Sequence, residues 1–70
     1  MMNEEHYLLK YFEYDHLPEG LALTSSYFKG TAQDLDRNLP DGSEKTVALR
    51  KLLESKDAAV RSKLDSKEND

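Results

Sequence analysis

Few of the 70 residues belong to types that do covalent chemistry, and their spacing restricts it further. There is no cysteine, which excludes thiol nucleophiles, disulfides and thiolate metal sites. His6 and His16 are the only histidines, too few for a zinc cluster, so no metal site is expected. His16 directly follows Asp15, and neighbours in the chain are poorly placed for one to orient the other as a general base. Ser25-Ser26 falls inside a helical stretch, not on the sharp turn that exposes a nucleophilic serine. The three glycines form no phosphate-binding loop, and the carboxylates stand singly. These residues point away from an enzyme and imply no cofactor.

Binding chemistry is better supplied. Tyr7, Tyr11, Phe12 and Tyr14 are four of the six aromatic residues, and all lie in the first sixteen positions. They could pack as a lid on the chain's own helices or on a partner's, or offer flat faces on which a base stacks. Lys29 follows Tyr14 by fifteen residues. The helical residues from Pro18 to Lys29 rise ~16 Å, so the pair is too far apart to share a small ligand unless the aromatic arm folds back. Two chains packed antiparallel remove the difficulty, because Tyr14 of one then approaches Lys29 of the other. A ring can stack on a base there while an ammonium contacts a phosphate.

Charge narrows the partners. The net charge is -4, divided as -3 over residues 1–16, -1 over 17–39, +2 over 40–64 and -2 over 65–70. A duplex DNA or RNA binder normally shows a strongly basic face, so neither is expected as a partner. A small anion needs only a few cations in a pocket and stays compatible with this balance. The basic segment otherwise reads as a solvated helix face.

Two helices must position these groups. Leu39-Pro40-Asp41-Gly42-Ser43 is the one clear break, with Pro40 turning Leu39 away from helical geometry. Asp41 and Glu44 resemble a capping box that starts the second helix. Helix one is predicted to begin with Pro18 in its first position, with Leu21, Phe28, Ala32, Leu35 and Leu39 on one face. Gly30 either admits a close neighbour or is merely tolerated. Helix two is predicted from about Gly42 to Leu64, with Leu49, Leu52, Leu53, Ala59, Val60 and Leu64 as its stripe. Lys56 and Lys63 fall inside that stripe, to snorkel at its edge or to pair with acids across an interface.

The expected fold is therefore all-α: residues 1–16 an aromatic arm, 17–64 an antiparallel two-helix hairpin, 65–70 a disordered polar tail. Only 37% of the residues are apolar against 34% charged, and the mean hydropathy is -0.83. So small a domain is marginal alone, and self-association is the expected source of further burial. The longest apolar run is Leu21-Ala22-Leu23, so neither a membrane span nor a signal peptide is expected.

Phe12-Glu13-Tyr14-Asp15-His16-Leu17-Pro18, Phe28-Lys29-Gly30-Thr31-Ala32, Leu39-Pro40 and the run from Glu44 to Arg61 together resemble the phage helical-hairpin nucleotide sponges. These are the anti-CBASS sponge family and the related anti-Thoeris sponge hairpin. The resemblance covers roughly residues 11–62, and its most specific pieces are Glu44-Lys45-x-x-Ala48-Leu49-x-Lys51-Leu52 and Ala58-Ala59-x-Arg61. It implies a non-catalytic protein of the host bacterial cytoplasm that sequesters cyclic oligonucleotide immune messengers without cleaving them. It also implies a homohexamer, a trimer of antiparallel dimers, holding cyclic dinucleotides such as cyclic GMP-AMP between paired chains.

Residue by residue, the resemblance makes Tyr14 the base-stacking tyrosine and Lys29 the phosphate-contacting lysine, with Tyr11 able to replace or assist Tyr14. For a separate cyclic trinucleotide pocket it implies Thr31 and Lys45, although a lysine lacks the bidentate fork of the arginine that relatives can carry. The alternatives are a sponge for a cyclic ADP-ribose-type signal and a structural or adaptor hairpin whose aromatics are interface core.

Overall fold

Pro40 stops the first helix where steric reasoning places the stop. In the computed structural model, which describes residues 5–69, α1 spans Glu19–Asn38. Leu39 is already extended at φ -95°, ψ 142°, and its N–H closes on the Leu35 carbonyl at 2.9 Å. Gly42 then takes φ +153°, a conformation side chains oppose, and α2 runs Ser43–Asn69. Two expected boundaries move. Pro18 sits one residue ahead of α1, its carbonyl accepting the Ala22 N–H at 2.8 Å. The backbone of α2 stays helical to Asn69, past the expected end at Leu64 and through most of the segment read as a disordered tail; Asp70 lies outside the described residues.

The two long helices pack against each other as a hairpin, and no strand occurs among the described residues. Leu21, Phe28, Leu35 and Leu39 are half-buried and Ala32 fully buried, so the expected α1 face is the packed one. The gap of seven between Leu21 and Phe28 is filled by Ser25, which is completely buried. On α2, Leu49 is fully buried, with Leu52 and Leu53 packed beside it. The aliphatic end of Lys63 lies across Gly20, 3.8 Å from where a Cβ would stand, so the first turn of α1 faces this level of α2. Lys56 keeps its stem largely covered while its ammonium reaches Asp57 at 3.2 Å.

The arm is the third layer. Tyr7–Phe12 forms a 3-10 helix that touches both long helices, and Leu8, Leu9 and Phe12 join Ala32 and Leu49 as the buried core. Tyr7 and Tyr11 remain largely exposed, so the arm divides its aromatics between core and surface. His6 fastens the start of the arm. Its backbone N–H donates to Asp36 Oδ2 at 3.3 Å, and its Nδ1 accepts the Leu8 N–H at 3.2 Å. That assigns the ring proton to Nε2, which lies 2.9 Å from Thr46 Oγ1 on α2. No helix among the described residues is long and apolar enough to cross a membrane.

Candidate functional site

Burial of Phe12 fixes where the next residues of the chain emerge. Glu13 ends the 3-10 helix in extended geometry, and a tight turn follows in which the Leu17 N–H donates to the Tyr14 carbonyl at 3.0 Å. This bend reverses the chain into α1, so Glu13 and Tyr14 lie beside the middle of the helix. Lys29 rises from that part of α1. Its ammonium stands 5.5 Å from the centre of the Tyr14 ring and 3.0 Å from Glu13 Oε1.

The arm has therefore folded back, and Tyr14 and Lys29 of one chain are neighbours. Of the two routes left open, a folded-back arm and an antiparallel second chain, the arm brings the pair together within one chain. Burial of Leu8, Leu9 and Phe12 returns Tyr14 to Lys29, which distance along a helix does not register. The corner is open: the side chains of Lys29 and Glu13 are 27% and 49% exposed. Hydrogen bonding to Glu13 holds the Lys29 ammonium above its ordinary pKa, against partial desolvation and with smaller help from Asp15 and Tyr14. A flat ring, a fixed cation and an exchangeable carboxylate thus share one surface. Such a set can stack a base and bind a phosphate, provided the phosphate displaces Glu13.

Tyr11 does not share this corner's cation. Its ring is paired with Lys10, whose ammonium lies 5.2 Å from the ring centre. Thr31 is exposed on α1 and its hydroxyl donates to the Tyr27 carbonyl at 3.1 Å. Lys45 is placed quite differently, with its side chain only 5% exposed. Its ammonium donates to the Asp36 carbonyl at 2.7 Å and meets Asp36 Oδ1 at 2.8 Å and Asp41 Oδ1 at 3.0 Å. Lys45 is a clasp between the helices at the loop end, and a trinucleotide would have to compete with these two acids for its ammonium. The structure does not bring it to Thr31 within the chain.

Sequence reasoning missed the acids that answer these lysines. Asp41 stands two residues ahead of α2 and turns its carboxylate to Lys45 instead of serving as the expected cap. The i, i+4 spacing of Asp41 and Lys45 was the available signal. Asp36 and Glu13 carried none, because their partners are distant in the chain or reached only through the bend. Among the described residues no three His, Asp or Glu side chains converge as a metal site would require. The chain matches no protein-family model, and no curated protein and no solved structure is similar enough to count as a match.

Proposed function

We propose that the protein is a sponge for cyclic oligonucleotide messengers, cyclic dinucleotides first among them, which it binds and holds without cleaving. The carrying observation is the Lys29 ammonium 5.5 Å from the Tyr14 ring, on an open surface. A cyclic dinucleotide presents two flat bases and two phosphates, and one Tyr14–Lys29 corner from each of two chains matches that two-fold symmetry. This keeps the role that the resemblance implies for both residues and leaves the host bacterial cytoplasm as the place of action.

A homo-oligomer, a hexamer as a trimer of dimers, belongs to the same reading. The accessible surface is 5172 Å², against about 4,450 Å² for a compact monomer of this mass. Leu23, Tyr27 and Gly30 follow at i, i+4 and i+7 on α1, the first two 59% and 66% exposed and the glycine without a neighbour within 4 Å. A second helix can lie close along such a face. The same exposed side chains favour the second reading, an adaptor hairpin that binds no nucleotide.

Calorimetric titration with cyclic GMP-AMP, a cyclic trinucleotide and a cyclic ADP-ribose decides between the readings. The sponge gives saturable heat that Tyr14→Ala and Lys29→Ala each abolish at unchanged oligomer mass, and heating returns the ligand intact. Absence of heat with every ligand at about 0.1 mM protein, suited to Kd values in the micromolar range, leaves the adaptor. Heat with cyclic ADP-ribose alone reassigns the messenger.

A further inference from the structure

A groove of about 400 Å³ runs between the arm and the middle of α2, clear of the Tyr14 ring. Leu17 and Val60 make its apolar wall, and Tyr11, 51% exposed, adds a flat one. Lys10 and Arg61 also line it, and the Lys10 ammonium is already held 5.2 Å from the Tyr11 ring centre. The volume falls at the small end of ligand sites, which run roughly 300–1,000 Å³, so it suits one compact molecule.

The charges are uneven in a useful way. Glu13 and Asp57 line the groove too, but Glu13 is engaged by Lys29 at 3.0 Å and Asp57 by Lys56 at 3.2 Å. Among the described residues Lys10 and Arg61 have no such carboxylate partner. Lys10, Lys56 and Arg61 against Glu13 and Asp57 leave the lining at +1, in a chain whose net charge is -4. The guanidinium of Arg61 suits a phosphate's planar, two-point recognition. An apolar floor beside a tyrosine suits a ring attached to that phosphate.

We propose that this groove binds a small aromatic phosphate of mononucleotide size, its ring on Tyr11 and its phosphate taken by Lys10 and Arg61. The site is complete within one chain and uses neither Tyr14 nor a dimer, so it stands or falls separately from the sponge reading. A lone inorganic anion is the competing occupant.

Backbone amide NMR titration of the full chain with adenosine 5′-monophosphate tests it, with adenosine and inorganic phosphate in separate arms. Saturable shifts at Lys10, Tyr11, Val60 and Arg61 are expected, with adenosine and phosphate each at least about tenfold weaker. Arg61→Ala and Tyr11→Ala each weaken the mononucleotide about tenfold, with unchanged thermal melting, whereas Tyr14→Ala leaves its affinity intact. No saturation by about 10 mM, below which any useful affinity would register, overturns the proposal. So does an affinity unchanged by either groove variant, or phosphate binding as tightly as the mononucleotide.

Discussion

The Lys29 ammonium is shared between the face of Tyr14, 5.5 Å from its centre, and the carboxylate of Glu13, 3.0 Å away. Glu13 thus occupies the place that a phosphate on Lys29 would need. Both side chains are partly exposed, so the exchange of carboxylate for phosphate is open to solvent. Glu13→Gln removes the competing charge and keeps the side chain's size. Its expected outcome is tighter binding of cyclic GMP-AMP by about three- to tenfold, read by calorimetry. Weaker binding would mean that Glu13 positions Lys29 for the ligand instead of competing with it.

At the other end of the hairpin, charge serves stability. The Lys45 ammonium holds the Asp36 carboxyl below the usual carboxylate range, opposed by desolvation and helped by the His6 N–H. A carboxylate lowered in the fold stabilises above its unfolded pKa, and that share is lost as pH falls through the lower folded value. Lys45 is raised, chiefly by hydrogen bonds to Asp36 and then to Asp41. Its contribution is full below the ordinary lysine pKa and disappears as pH rises through the higher folded one. The share of the melting temperature owed to this pair should therefore form a plateau between about pH 5 and 10, falling in acid below about pH 4 and in alkali beyond 10.5. Asp36→Asn should lower the plateau and flatten the acid limb, as followed by circular dichroism. An acid limb unchanged in that variant would move the titration to another group.

The arm's docking has its own test. Phe12 is fully buried among Leu8, Leu9, Ala32 and Leu49, and it sets the point from which Glu13 and Tyr14 emerge. Phe12→Ala is expected to destabilise by about 3–5 kcal/mol, a large part of what so small a domain has. Denaturant titration measures that loss. If the hairpin survives it, the Tyr14 ring resonances should show weaker contacts to Lys29, since the arm loses its one fully buried anchor and keeps Leu8, Leu9 and the exposed Lys29–Glu13 pair.

The parts of the fold legible in the sequence were those governed by local geometry. Pro40 and Gly42 have steric requirements that depend on no distant residue, and the Leu21 to Leu39 face repeats at helical spacing. Both were readable directly. The arm was not, because Tyr7–Phe12 shows no simple amphipathic period, and only contact with both helices decides which aromatics are buried. The candidate site inherits that blindness. Tyr14 and Lys29 were readable as types, but their meeting within one chain depends on the arm's burial. The surroundings of Lys45 were hidden for a related reason: Asp36 lies before the break and Asp41 within it, and only the closed hairpin sets both against one ammonium.

Ser25 is where the packed face departs from its own pattern. It takes a seam position on α1 that an apolar residue would fill, is completely buried, and its Oγ has no hydrogen-bond partner. A buried hydroxyl left unpaired costs about 1–3 kcal/mol, and serine also favours a helix less than alanine does. Ser25→Ala removes both penalties and loses only one small atom from the seam. The variant should be more stable by about 1 kcal/mol, which for a domain of this size raises Tm by about 4–8 °C. Thermal denaturation at several protein concentrations measures it and separates a change within the chain from one in association. A drop in Tm would show that the hydroxyl is paired in solution, and the seam would then have to be redrawn around that partner.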